Sequence, residues 1–341
     1  MTATSAAGTG ARPVVAACLG QPWRRTVLDD RARAVITRHA ELIDLDPRTL
    51  HPLGSGEAVS NAAVLVTGWG TPRLDDAALD ALPGLRLVVH AAGSVRELVT
   101  DAIWERGIRV STAADANAVS VADFTIAQIQ LALKNAWRLA AQSRARAAVA
   151  ERAAVRGVDG AVIGLVGFGR IGRLVAERLA ALDVQVLAFD PHTDAETCAA
   201  LGAEKTELED LFSRADVVSL HAPLTPSTTG MITRDLLLRM PEQATFINTA
   251  RGALVDNDEL AAVLERRPDL FALLDVTEPE PLRDRHPLLT LPNTFVTPHI
   301  AGSLGTEEAR LGALAAAEIE RFLTGAPLLH TVEEERLALS A

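Results

Sequence analysis

Gly167-Phe168-Gly169-Arg170-Ile171-Gly172 follows the apolar run 161–166 and opens a helical pattern over 173–182. Between a strand and a helix, three glycines at this spacing have separate tasks. Gly167 permits the tight turn out of the strand, Gly169 lets the main chain approach a pyrophosphate, and Gly172 lets helix and strand lie close together. The start of the helix adds N–H groups and the positive end of its dipole. Asp190 closes the next apolar run, 184–189, where a carboxylate can accept hydrogen bonds from the adenosine ribose hydroxyls. Pro191, His192 and Thr193 follow, with no arginine to receive a 2′-phosphate, so the expected cofactor is NAD and not NADP.

The same alternation of short apolar runs and helical patterns extends in both directions, as parallel α/β units require. Downstream of the glycines, strands are expected at 161–166, 184–189, 216–220, 244–248, 270–276 and 294–297, six in all. Upstream, strands are expected at 13–19, 42–45, 63–67, 85–90 and 108–112, with helices at 24–40, 75–81 and 97–105. This first series carries no glycine-rich phosphate turn and is expected to hold something other than the dinucleotide. A long amphipathic stretch, 119 to about 146, joins the two series, followed by an Ala- and Arg-rich passage to Gly160. A helix at 306–323 is long enough to return to the first series. The predicted architecture is α/β with two doubly wound parallel sheets. A flavodoxin-like substrate domain, 1–118 completed by 304–341, accompanies a Rossmann NAD-binding domain, 119–303.

Composition agrees with two cores. The chain has 341 residues, 48% hydrophobic and 23% charged, and a formal net charge of -11. Nucleic acid and anionic membrane surfaces call for clustered Lys and Arg that this chain lacks, so neither is expected as a partner. Cys18 and Cys198 stand alone, predicting neither a disulfide framework nor a zinc site. Residues 1–12 have no apolar core of a signal peptide and no run is fit to span a membrane, so a cytoplasmic protein is expected.

Ligands of open α/β sheets sit outside the carboxyl ends of the strands. Three polar residues are expected there: Arg251, in the turn after the strand ending at Asn248; Glu280, shortly after Asp275; and His299, after the last strand. Hydride transfer at a hydroxyl carbon requires the hydroxyl proton to leave as well, which needs a group titrating near neutrality. His299 suits that task, Glu280 can stabilise its imidazolium, and the planar fork of Arg251 can hold an oxo acid's carboxylate. His221 is expected to be a structural loop residue near the cofactor, while His90 and His192 stay open between a site role and a structural one, the structural being preferred.

With these residues in view, the chain resembles the D-isomer-specific 2-hydroxyacid dehydrogenases over nearly its whole length. The resemblance rests on 164–172, His221-Ala222-Pro223-Leu224-Thr225, Ile247-Asn248-Thr249-Ala250-Arg251-Gly252, Asp275-Val276 leading to Glu280-Pro281, and Thr297-Pro298-His299-Ile300-Ala301-Gly302. It implies Arg251, Glu280 and His299 as the catalytic set and Arg170 and Ile171 beneath the pyrophosphate. It implies further that Asp190 binds ribose and that Thr249, Ala250 and Asp275 flank the nicotinamide. It also implies a first domain that closes over the cleft, with N–H groups of the Gly93-Ser94 loop on the substrate carboxylate, and a homodimer formed through the cofactor domain and the long helix. Two departures bear on the substrate. Arg96 stands where the family usually has an aspartate, and Val121-Ala122-Asp123-Phe124 replaces the common Val-Ala-Glu-His. Residues 328–341 are expected to be too few for an additional regulatory domain. The leading expectation is an NAD-dependent enzyme interconverting a small 2-oxo acid and its D-2-hydroxy acid. A dinucleotide-sensing, corepressor-like protein and a dehydrogenase of formate or phosphite are the alternatives.

Overall fold

The structure is a computed structural model that describes residues 12–53, 59–144 and 155–337. Nearly all of the expected N-terminal tail, and residues 147–154 of the Ala- and Arg-rich passage, lie outside these. The chain divides into two compact units, Met1–Asn117 with Leu304–Ser340, and Ala118–Ser303. The first division falls inside one helix, Ala114–Leu133.

In the first unit, β1 (Val14–Cys18), β2 (Glu41–Asp44), β3 (Ala62–Thr67), β4 (Leu87–His90) and β5 (Arg109–Thr112) form a parallel sheet in the order β2-β1-β3-β4-β5. Every residue of β3 and β4 is buried, because helices cover both faces; such strands read as unbroken apolar runs. On one face Val15, Val64, Val66 and Val89 meet Leu311, Ala315 and Ile319 of the returning helix Glu308–Thr324. Gly312 of that helix lies so close to the Val27 carbonyl that a Cβ would overlap it. Leu65, Val88, Leu79 and Ile103 fill the opposite face.

The second unit contains β6 (Ala161–Val166), β7 (Val184–Phe189), β8 (Ala203–Lys205), β9 (Val217–Leu220), β10 (Thr245–Asn248), β11 (Phe271–Leu274) and β12 (Thr294–Val296), all parallel, in the order β12-β11-β10-β9-β6-β7-β8. The reversal of order beside β6 places the glycine-rich turn at the switch point of the sheet. Both sheets are of the expected doubly wound type.

Local departures have plain causes. The seventh strand, β8, escapes a reading by periodicity because it is three residues long and two of them, Glu204 and Lys205, are exposed; short charged strands are usual at sheet edges. The helix expected at 24–40 is two helices, Trp23–Thr26 and Asp30–His39, because the Asp29 carboxylate caps the second by accepting from the Ala32 N–H. The helix expected at 97–105 begins only at Asp101. The long helix starts at Ala114 and stops at Leu133; Asn135, at φ +52°, separates it from Ala136–Arg144.

Candidate active site

The glycine-rich turn separates the demands of the fold from those of a ligand. Gly167 has φ +95°, and a Cβ there would stand 2.5 Å from the Ala222 nitrogen; a Cβ on Gly172 would overlap the Gly167 carbonyl. Both glycines are required by the protein's own packing. Gly169 is different. A Cβ there meets nothing within 4 Å, so the protein leaves that space open. The space lies at the start of the helix Arg170–Leu179, where Gly169 is the N-cap and offers no side-chain cap. Asp190 accepts from the Phe168 N–H through Oδ2 and from the His192 N–H through Oδ1, each at 2.7 Å. It therefore holds the turn while keeping further lone pairs for hydroxyl donors. This arrangement fits a dinucleotide: an uncapped helix start, an open Cα and an acid beside them.

Asn248, fully buried at the end of β10, organises the next turn. Its Oδ1 accepts from Ala250 N–H at 3.0 Å and its Nδ2 donates to the Arg251 carbonyl at 2.9 Å. Thr249 meets Thr125 hydroxyl to hydroxyl at 3.2 Å. The half-buried Arg251 donates from Nη1 to the Ala250 carbonyl. Gly252 is pressed against the Thr277–Glu278 main chain, where a Cβ would overlap the Thr277 carbonyl, and Asn257 Nδ2 donates to the Glu278 carbonyl at 2.8 Å. The chain bearing Arg251 is thus fixed to the chain leading to Glu280.

Asp275 follows β11 and is 2% exposed. Its Oδ1 accepts from Thr297 Oγ1 at 2.5 Å and from Ile300 N–H at 2.8 Å, and its Oδ2 from Ala301 N–H at 2.8 Å. The His299 N–H donates to its main-chain carbonyl at 2.9 Å. These bonds encircle His299, whose own backbone is left-handed, φ +55°. Its Nδ1 lies 2.7 Å from Glu280 Oε1, with the two side chains 50% and 43% exposed. Of the three expected catalytic residues, Glu280 and His299 are in direct contact. Arg251 is carried by β10, which neighbours β11 and hence shares its sheet edge. Sequence reasoning did not single out Asn248 and Gly252, although both stand in the motif quoted, and it gave Asp275 no part in shaping the histidine loop.

His221 and His90 are held by the fold, and the Gly93-Ser94 loop is anchored beside His90. His221 is buried beside Gly167, pairs with Ser219 Oγ through Nε2 at 3.1 Å, and has no partner at Nδ1. Burial pushes it down to about 3. In the first unit, His90 Nδ1 meets Thr67 Oγ1 at 3.0 Å; burial pushes it down to about 4, with a main-chain hydrogen bond at Ser94 acting in the opposite sense. Thr112 Oγ1 donates to the Gly93 carbonyl at 2.8 Å. Both imidazoles are therefore neutral in the folded protein near pH 7. An unfolded histidine titrates near ~6.5, so below that pH the unfolded chain binds more protons than the native one. The stabilising contribution is complete above about pH 6.5 and is lost as pH falls toward the native values. Urea unfolding is expected to weaken by up to ~1.4 kcal/mol per pH unit for each histidine over this acid range. His90→Gln should flatten the dependence, and an unchanged slope would count against this assignment.

Residues 126–301 match the family described as D-isomer specific 2-hydroxyacid dehydrogenase, NAD binding domain. D-3-phosphoglycerate dehydrogenase of Methanocaldococcus jannaschii is 33% identical over 272 residues, covering 79% of this chain and 51% of that protein. (S)-sulfolactate dehydrogenase of Chromohalobacter salexigens is 35% identical over 291 residues, covering 84% of this chain and 91% of its own length. Among solved structures, the apo form of Rhodotorula graminis D-mandelate dehydrogenase is similar at a TM-score of 0.78 and 26% identity, covering 95% of this chain and 98% of that one. The chain spans about half the length of the phosphoglycerate dehydrogenases it matches. No helix among the described residues is long and apolar enough to cross a membrane. The glycine-rich cradle, the acid after β7 and the match over 126–301 agree on NAD as cofactor, and the chain belongs to the D-isomer-specific 2-hydroxyacid dehydrogenase family.

Proposed function

We propose that this protein is an NAD-dependent oxidoreductase interconverting a 2-oxo acid and the corresponding D-2-hydroxy acid, with His299 as acid and base. The observation that carries the reading is the 2.7 Å contact of His299 Nδ1 with Glu280, on the sheet that also bears the dinucleotide cradle. NAD, when bound, supplies or accepts the hydride. Gly167, Gly169, Arg170, Ile171 and Gly172 hold its pyrophosphate, Asp190 its ribose, and Thr249, Ala250 and Asp275 flank the nicotinamide. Arg251 and the N–H groups of Gly93 and Ser94 bind the substrate carboxylate. With Nδ1–H donated to Glu280, His299 works through Nε2, giving a proton to the keto oxygen in reduction and removing it from the hydroxyl in oxidation. The 2.7 Å contact with Glu280 orients the ring for this exchange.

The test is NADH absorbance with glyoxylate, pyruvate, hydroxypyruvate and phosphohydroxypyruvate. Oxidation of NADH by a member of the panel is the expected result. Silence across the panel with tight NADH binding would replace the reading by a sensing role, and oxidation of formate or phosphite by a hydride transfer without proton donation to a keto oxygen. Since Gly169 meets no protein atom through its missing side chain, Gly169→Ala is expected to weaken NADH binding about tenfold while leaving the melting temperature nearly unchanged. Fluorescence titration and thermal unfolding of the same preparation check both halves. A homodimer and a cytoplasmic setting complete the proposal; both cysteines are buried and unpaired, as in a reducing compartment, and sizing in solution tests the dimer.

A further inference from the structure

We infer that the first unit carries an aromatic-walled subsite, built by Trp23 and Trp69, which selects 2-oxo acids with an apolar side chain over those bearing a second anionic group; the inference rests on the dehydrogenase reading above. In the order β2-β1-β3-β4-β5 the chain reverses direction between β1 and β3, where an open α/β sheet forms its ligand crevice. Trp23 follows β1 and Trp69 follows β3. Their rings meet at 5.9 Å between centroids, tilted 53°, and both are half-buried, resting on the core beneath. Thr71 ties the two loops together, donating to the Cys18 carbonyl at 2.6 Å and accepting from Gly68 N–H at 3.0 Å.

Glycines flank this wall and put no side chain of their own on it. A Cβ at Gly20 would touch the six-membered ring of Trp23 at 3.7 Å, and one at Gly70 would touch it at 3.6 Å, so both loops stop at contact distance from the same ring. The cation next in sequence is turned elsewhere, since Arg24 Nη2 donates to the carbonyls of Leu19 and Leu45, each at 3.0 Å. The neighbouring strand β4 leads into the Gly93-Ser94 loop, and the His90–Thr67 contact joins the ends of β3 and β4. A substrate whose carboxylate lies on that loop would extend its side chain from β4 toward Trp69. Indole faces suit an apolar or aromatic group and offer nothing to a phosphate or sulfonate beyond weak N–H donation.

The experiment compares kcat/KM for glyoxylate, phenylpyruvate, 4-methyl-2-oxopentanoate, sulfopyruvate and phosphohydroxypyruvate in the wild type and in Trp69→Ala, Trp69→Phe and Gly20→Leu. Wild type is expected to prefer the two apolar substrates over both anionic ones by about tenfold or more. Trp69→Ala and Gly20→Leu should lower the phenylpyruvate to glyoxylate ratio by a similar factor, and Trp69→Phe should retain most of it. NADH binding by each variant verifies that it is folded. A preference for sulfopyruvate or phosphohydroxypyruvate overturns the subsite and gives the side-chain end to a cation such as Arg96. Ratios indifferent to Trp69 and Gly20 overturn it as well. In both cases reduction of glyoxylate leaves the dehydrogenase reading standing. Failure to reduce any 2-oxo acid removes that reading and the subsite with it.

Discussion

His299→Ala is expected to lower turnover by about 10² to 10⁴, the usual worth of a positioned general acid, with NADH affinity nearly unchanged. The separation follows from where the residue stands. Its imidazole contacts Glu280, with half its surface open, whereas the cradle of Gly167, Gly169 and Asp190 lies at the ends of β6 and β7 in the same sheet. On the proposed mechanism, loss of the imidazole removes proton transfer and leaves the cofactor site in place. Steady-state rates with NADH and the best 2-oxo acid, beside a fluorescence titration of NADH, measure both quantities. Turnover within a few-fold of wild type would exclude His299 from the chemistry.

Asp275→Ala is expected to lower turnover by about 10² although Asp275 is not proposed to transfer a proton. The carboxylate receives the Thr297 hydroxyl and the N–H groups of Ile300 and Ala301, so its removal deprives the histidine loop of three hydrogen bonds. Hydrogen bonds to a charged acceptor are worth about 1.5–3 kcal/mol each, and a loop freed of several will spend much of its time away from the geometry that catalysis needs. Asp275→Asn keeps an acceptor for some of these donors but points an amide N–H₂ at others, so an intermediate loss is expected. Thermal unfolding should also fall, since the site is buried. Full activity in Asp275→Ala would mean that the loop needs no clamp. Loss of stability with turnover intact would confine Asp275 to the fold.

The elements most legible in the sequence are those whose physics is local. β3 and β4 are buried along their length and β6 at all but Val162, so they announce themselves as largely apolar runs, and the glycine-rich turn is legible because Gly167 and Gly172 answer steric demands of the fold that no other residue meets. His299 and Glu280 could be selected as partners because both follow strands at the same end of one sheet, and topology then brings them together. What stayed hidden depends on atoms far apart in the chain. Asp275 reads as a strand-terminal acid near the cofactor, and only folding reveals that it receives donors from Thr297, Ile300 and Ala301. Trp23 and Trp69 are separate aromatic residues in sequence, and nothing in their spacing signals that β1 and β3 are neighbours. The split at Asp29 was within reach of sequence reasoning, since Asp29-Asp30 ahead of a helical pattern is a capping signal.

The left-handed backbone of His299 has a practical consequence for trapping the enzyme with its substrate. Few side chains adopt φ +55° without penalty; asparagine and aspartate join histidine among those that do so most readily, while β-branched residues are poorly suited. An inactive form that keeps the native turn is therefore better obtained with asparagine than with alanine, valine or threonine. With the proposed proton donor gone and its main chain undisturbed, such an impostor offers crystallographers a ternary complex arrested before reaction.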